Sequence, residues 1–117
     1  YNDKYGHATG DIVLKTIASM INGMLHVGDV AARYGGEEIA ILIAGSGQKN
    51  AVRLAESIRK KIEEGPVTVR RQMHNVTVSI GVSTYPKDGI NEEELVKVAD
   101  ERLYKAKSEG RNKTCAE

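Results

Sequence analysis

The stretch VAARYGGEEIAILIA, residues 30–44, contains two short apolar runs separated by two glycines and two glutamates. The runs Val30–Tyr34 and Ile39–Ala44 have the composition of buried strands. Two consecutive glycines between such runs are typical of a tight turn that joins antiparallel neighbours. The stretch therefore predicts a β-hairpin with both acids at its tip.

Helical patterns lie on both sides of this hairpin. Apolar residues recur at helical spacing from about Thr9 to Leu25 and from about Asn50 to Glu64, where a Gly-Pro pair is a stop signal. A last helix is predicted to begin after Asn91 as its N-cap, with Glu94 reaching back, and to end near Gly110.

A further strand is predicted in the second half of the chain. From Val76 to Val82 apolar and polar residues alternate, which indicates a strand buried on one face. Val67–Arg71 is a candidate to pair beside it. The order α-β-β-α-β-α becomes βαββαβ plus a terminal helix when one strand is added in front, and that arrangement builds an antiparallel sheet covered by helices. The expected fold class is α+β.

Composition limits the classes of function. With 117 residues and 40% hydrophobic content, the chain is expected to form one domain over residues 1–117. A formal net charge of +1 gives no field that would attract a polyanion, so a nucleic-acid partner is not expected. The lone Cys115 is expected in a surface tail. Nothing resembles a signal peptide or a long apolar span, which favours the cytoplasm and no membrane contact by this segment.

Three groups of residues could carry chemistry. The first is the hairpin tip, where Glu37 and Glu38 follow Gly35-Gly36. The glycines allow the backbone to approach a ligand closely, and the carboxylates could coordinate a divalent cation. A solvated acidic turn is the alternative for this group.

The second group is Asn2 and Asp11. A guanine edge offers N–H donors that suit a carboxylate and acceptors that suit an amide, so this pair can read guanine. Alternatively, Asp11 in the first helical turn complements the helix dipole and Asn2 makes a turn.

The third group is Lys107 and Arg111. They are four residues apart near the end of the last helix, so both could lean to one side and meet a phosphate chain. Cations also stabilise a helix C-terminus by about 0.3–1 kcal/mol, which is the structural alternative.

Taken in order, four motifs resemble the GGDEF family of diguanylate cyclases. They are NDKYGHATGD at 2–11, ARYGGEEI at 32–39, VTVSIGV at 76–82 and ADERLYKAKSEGRN at 99–112. The resemblance implies a ferredoxin-like or nucleotidyl-cyclase-like core whose first strand this chain lacks. In the family that strand carries an aspartate that shares the magnesium ions, so the resemblance implies that this segment alone is inactive.

The resemblance also implies roles for single residues. Asn2 and Asp11 would hydrogen-bond guanine, and the acid would favour GTP over ATP. Glu37 would coordinate Mg²⁺, with Mn²⁺ as a substitute, and Glu37 or Glu38 would act in catalysis. Phosphate contacts fall on these residues: Gly35, Gly36, Lys107 and Arg111.

Similar enzymes bring two GTP-loaded domains together as a homodimer and make cyclic di-GMP and two pyrophosphates. They are linked to an upstream sensory or receiver domain, and some are cytoplasmic parts of membrane-anchored sensors. Two other functions stay open. A degenerate GGDEF domain would bind GTP or cyclic di-GMP as a regulatory module, and a structural domain would serve only dimerisation.

Two positions depart from the family pattern. Ile39 replaces the usual phenylalanine at the end of the signature, which alters the core volume beside the loop. The family's inhibitory R-x-x-D motif corresponds to His26-Val27-Gly28-Asp29. Because histidine lacks the permanently charged bidentate fork of arginine, a degenerate inhibitory site at His26 and Asp29 and weak or absent feedback inhibition are expected.

Overall fold

The computed structural model describes residues 7–35, 38–45 and 47–117 of the chain. In chain order the elements are α1 (His7–Asn22), β1 (Val30–Arg33), β2 (Ile39–Leu42), α2 (Gln48–Glu64), β3 (Val67–Val69), β4 (Gln72–His74), β5 (Ile80–Gly81), α3 (Glu92–Ser108) and β6 (Thr114–Cys115). The α+β class is confirmed. One compact unit runs through residue 44 and resumes at 65–76, and the other contains 45–64 and 77–117. No helix in the described ranges has the length and apolar character needed to span a membrane.

Helix α1 provides the core of the first unit. Its residues Val13, Ile17 and Ile21 are buried, and the helix contacts β1 and β3. The predicted amphipathic helix is therefore confirmed, but it ends at Asn22 rather than near Leu25. Gly23 follows directly, and glycine disfavours a helix interior by about 1 kcal/mol relative to alanine.

The β1–β2 hairpin forms as predicted, with antiparallel strands slightly shorter than expected. Val30 lies opposite Leu42, and Arg33 opposite Ile39. Both strands were expected to be buried, yet the side chains of Val30 and Leu42 are 56% and 67% exposed. Successive residues of a strand point to opposite faces, so Ile39 and Ile41 are partly buried while this cross-strand pair faces solvent.

Strands β3 and β4 form a second hairpin that the sequence analysis missed. Val67 lies opposite His74, and the chain reverses at Arg70 and Arg71, which have φ angles of 50° and 68°. Left-handed values at both central residues are those of a type I′ turn, which glycine and asparagine usually supply. The prediction that Val67–Arg71 pairs beside Val76–Val82 is therefore wrong.

The two helices of the second unit have well-defined boundaries. Helix α2 buries Ala55, Ile58 and Ile62 and ends at the predicted stop after residue 64. At the start of α3, Asn91 Oδ1 accepts a hydrogen bond from the amide of Glu94 at 2.9 Å, which confirms the predicted N-cap. The Glu94 carboxylate reaches back to the amide at position 90, one residue before the cap.

Only Ile80–Gly81 of the predicted Val76–Val82 strand is regular, and it pairs in parallel with β6. A Cβ atom at Gly81 would collide with the carbonyl oxygen of Ala99 and the amide nitrogen of Leu103. Glycine thus allows α3 to lie directly against β5. The strand pairing also buries Cys115, which is 8% exposed, so its expected place in a surface tail is wrong.

A bidentate ion pair fixes the segment after β5 to α3. Arg102 donates to both carboxylate oxygens of Asp88 at 2.9 Å, and it also donates to the carbonyl oxygen of Val82 at 2.7 Å. The Asp88 side chain is 7% exposed, and the guanidinium beside it lowers the pKa of this carboxyl group. The pair therefore holds α3 in one position along β5.

The β3–β4 turn yields a stability prediction. Replacing Arg70 and Arg71 with Asn-Gly should stabilise the domain by about 1 kcal/mol, because these residues adopt left-handed backbone at lower cost. The urea midpoint of unfolding should rise. An Arg70→Ala/Arg71→Ala variant removes the same charges but keeps the backbone cost, so it should show no gain. If the two double variants have equal urea midpoints, the left-handed backbone at Arg70 and Arg71 does not carry the expected energetic cost.

Candidate functional site

The tip of the β1–β2 hairpin is closed by one carbonyl group. The amides of Tyr34 and Gly35 both donate to the carbonyl oxygen of Glu38, at 2.8 and 3.3 Å. Gly36 and Glu37 lie in the chain between these anchors and outside the described residues. These two hydrogen bonds thus join the end of β1 to the start of β2, with Glu38 of the signature at the junction.

Asp11 lies on α1 and is partly buried. Helix α1 begins at His7, so Asp11 lies beyond its first turn. The sequence analysis had placed Asp11 within the first turn. Favourable interaction with the helix dipole falls off within that turn. The dipole explanation of Asp11 therefore loses its support, whereas its role in guanine recognition stays a prediction. Its predicted partner Asn2 is outside the described residues.

Lys107 and Arg111 occupy different kinds of backbone. Lys107 is in the last turn of α3, and Arg111 follows the helix with a φ of 64°. The amide of Arg111 donates to the carbonyl oxygen of Ala106 at 3.0 Å, and that of Gly110 donates to Lys107 at 3.5 Å. These two bonds form a Schellman cap. The regular i, i+4 spacing of a helix therefore does not relate Lys107 to Arg111. Both residues are exposed, and their contact with one phosphate chain stays a prediction.

The residues at the predicted inhibitory site have a visible local role. One carboxylate oxygen of Asp29 accepts from the amide of His26 at 2.9 Å, and the other accepts from the amide of Ala44 at 3.1 Å. These hydrogen bonds, chiefly the one from His26, lower the pKa of Asp29. Asp29 therefore ties the turn before β1 to the end of the hairpin. The inhibitory site itself stays a prediction.

The chemistry of the hairpin acids suits a hard cation. Carboxylate oxygens are preferred ligands of Mg²⁺. Among residues 7–35, 38–45 and 47–117, no group of three or more His, Cys, Asp or Glu side chains could hold a metal. Glu37 lies outside those ranges, and its role as a metal ligand stays a prediction.

One polar network was missed by the sequence analysis. Arg59 on α2 donates to both carboxylate oxygens of Glu56 and to Asn112 Oδ1, at 2.8 to 3.1 Å. Thr114 Oγ1 donates to the same Glu56 at 2.7 Å. The hydrogen bond from Arg59, followed by that from Thr114, lowers the pKa of Glu56 to about 2. The spacing of Glu56 and Arg59 was the available signal, but nothing in it points to Asn112.

The geometry can be compared with known proteins. Residues 1–113 match the family described as diguanylate cyclase, GGDEF domain. The chain belongs to the GGDEF family. This GGDEF domain is 44% identical over 112 residues to Diguanylate cyclase A of Treponema denticola, covering 96% of the chain and 30% of that relative.

Solved structures agree with this assignment. The GGDEF domain of YfiN, also called TpbB, from Pseudomonas aeruginosa matches with a TM-score of 0.92 and 34% identity, covering 98% of this chain and 72% of that one. The active GGEEF domain of a diguanylate cyclase from Vibrio cholerae matches with a TM-score of 0.86 and 31% identity, with coverages of 98% and 72%. The resemblance inferred from the motifs is confirmed.

Glu56 yields a prediction for pH dependence. Its carboxyl pKa is lowered from 4.5 to about 2 in the folded state, so its contribution to stability is present above pH 4.5 and is lost as the pH falls towards 2. Measured by urea unfolding, the stability difference between the wild type and Glu56→Gln should shrink over that window. Glu64→Gln, which removes an exposed charge from the same helix, should show a smaller change. If the stability difference between the wild type and Glu56→Gln stays constant with pH, the result would contradict an ion pair between Glu56 and Arg59 in the folded state.

Proposed function

We propose that this GGDEF domain is the catalytic part of a diguanylate cyclase, which condenses two GTP molecules into cyclic di-GMP and two pyrophosphates. The observation that carries the proposal is the Gly-Gly-Glu-Glu signature in a member of this family, at a chain reversal that the Glu38 carbonyl closes. A similar domain with a GGEEF signature is described as active. Ile39 replaces the family's usual phenylalanine, but both acids of the signature are retained in the sequence.

Base recognition is assigned to Asn2 and Asp11. In this proposal the Asp11 carboxylate accepts from the guanine N1–H and exocyclic amine, while the Asn2 amide donates to an acceptor of the base. Adenine has no N1–H and presents its amine at a different position. The carboxylate is therefore the residue that selects GTP over ATP.

Phosphate binding is assigned to the glycines of the turn and to two basic residues. Without side chains, Gly35 and Gly36 let the backbone approach the triphosphate. Lys107 provides a point charge, and Arg111 provides a planar fork that can meet two phosphate oxygens at once. The exposed positions of both basic side chains support this role.

The acids of the turn are assigned to the reacting end of the nucleotide. Glu37 holds Mg²⁺ in this proposal, and the bound ion would supply charge neutralisation on the phosphates and a lower pKa for the attacking hydroxyl. Glu37 or Glu38 accepts the proton that the hydroxyl releases.

The product requires two domains. Each 3′-oxygen forms a bond to the α-phosphorus of the opposite GTP while the bond from that phosphorus to the pyrophosphate leaving group breaks. Two such steps close the ring, so we propose a homodimer of GTP-loaded domains as the active species. The chain spans 30% of the length of Diguanylate cyclase A. A sensory or receiver domain upstream is the proposed regulator, and the cytoplasm is the proposed compartment.

Removal of the signature acid tests the activity. In the full-length protein, Glu37→Ala should lower the rate of cyclic di-GMP formation from GTP and Mg²⁺ by at least about 100-fold, the loss typical of a deleted electrostatic group at a reacting phosphate. Nucleotides are separated by chromatography. Glu64→Ala, an exposed acid at the end of α2, is the control and should retain activity.

Two results would contradict this assignment. Cyclic di-GMP formation that is unchanged by Glu37→Ala would remove the acid from the mechanism. Absence of product from the unmutated protein, together with binding of GTP or cyclic di-GMP, would show that the domain is the degenerate regulatory module instead.

Base selection has a separate test. Asp11→Asn should reduce the preference for GTP over ATP in binding by about tenfold or more, because a charge-assisted acceptor contributes about 1.5–3 kcal/mol. Competition between the two nucleotides, measured by titration calorimetry, gives the ratio. The exposed neighbour Lys15→Ala serves as the control on the same helix. If the ratio of GTP to ATP affinity is unaltered in Asp11→Asn, the Asp11 carboxylate does not recognise the guanine base.

A further inference from the structure

The turn after α3 has an unusual backbone. Gly110, Arg111 and Asn112 are consecutive left-handed residues with φ angles of 116°, 64° and 49°. Glycine adopts this conformation readily, but a side chain raises its cost at the next two positions. Such a conformation persists only where surrounding contacts hold it. The contacts that hold this turn therefore decide where Arg111 is presented.

Those contacts come mainly from α2. Arg59 Nη1 donates to Asn112 Oδ1 at 3.0 Å, and the Asn112 amide group in turn donates to the Glu63 carboxylate. The backbone amide of Asn112 donates to Ser79 Oγ at 3.1 Å. The side-chain oxygen, the side-chain nitrogen and the backbone amide of Asn112 therefore each have a hydrogen-bond partner. Arg111 lies between this anchor and the helix cap.

The guanidinium of Arg59 is itself held on its other edge. Its Nε and Nη2 atoms donate to the two carboxylate oxygens of Glu56 at 2.8 and 3.1 Å. The Arg59 side chain is 14% exposed, whereas Arg111 is an exposed residue. Each of the three guanidinium nitrogens thus donates one hydrogen bond within the protein. Arg59 is therefore suited to positioning rather than to contact with a ligand.

We propose that Arg59 is a positioning residue that, through Asn112, holds the left-handed turn and so presents the Arg111 guanidinium to a nucleotide phosphate. The last step rests on the proposed function. The anchoring of the turn does not rest on it and can be measured without nucleotide.

The anchoring is tested by hydrogen exchange in the full-length protein. Arg59→Lys keeps the charge, but a single ammonium group cannot reproduce the planar fork that spans Glu56 and Asn112. Exchange of the amides in peptides covering residues 109–114 should accelerate about tenfold. Asn112→Gly, which keeps the favoured backbone conformation and removes the tether, should give the same acceleration. The exposed Arg53→Lys on the same helix is the matched control and should leave these peptides unchanged.

The effect on nucleotide is tested by a double-mutant cycle on the KM for GTP. Arg59→Lys should raise KM about tenfold with kcat nearly unchanged, because a loosened turn spends less time in the competent conformation. In an Arg111→Ala background the same change should add little, since the two residues act as a unit. A purely structural role would lower thermal stability and the active fraction, with KM unchanged.

The outcomes separate the two claims. Unchanged exchange in both Arg59→Lys and Asn112→Gly overturns the positioning role, whatever the activity. Faster exchange with additive effects of Arg59→Lys and Arg111→Ala on KM overturns the link to phosphate binding. If Arg111→Ala leaves KM unchanged, the phosphate role in the proposed function fails, and faster exchange still supports the anchoring by Arg59.

Discussion

The hydrogen bonds from the amides of Tyr34 and Gly35 to the Glu38 carbonyl fix where the β1–β2 hairpin reverses. The register that follows places Arg33 opposite Ile39, and a slip of one residue would invert the faces of both strands. The position of Glu38 in the signature depends on this reversal. Asp29 reinforces it from the other end, because its carboxylate ties the turn before β1 to Ala44, two residues after β2.

In the second unit, the basic end of α3 is positioned by contacts along the whole helix. The absence of a side chain at Gly81 lets the helix lie against β5, and the Arg102–Asp88 pair fixes it there. Its last turn then ends in a Schellman cap that directs the chain towards β6. The proposed phosphate contacts of Lys107 and Arg111 would therefore depend on packing at Gly81 and Asp88, away from those two residues.

Local sequence patterns were enough to predict several helices and one hairpin. The apolar faces of α1 and α2, the N-cap at Asn91 and the β1–β2 hairpin follow from local spacing, and the four ordered motifs identified the family. Contacts between distant segments left no such signal. The left-handed turn at Arg70-Arg71 lacks the usual glycine, and the two residues of β6 are too few for a pattern. For the site, candidate residues could be chosen from the chemical types of their side chains. The hydrogen bond from Arg59 on α2 to Asn112 could not be predicted, because it depends on tertiary packing.

We propose that residues of three separate motifs contribute to GTP binding. A crystal structure of the full-length protein with Mg²⁺ and a GTP analogue that cannot form the ring tests this proposal. The expected result is guanine against Asp11, the metal at Glu37, and phosphate oxygens in contact with Lys107 and Arg111. A nucleotide bound away from the Gly35–Glu38 turn, or a base that does not contact Asp11, would contradict it.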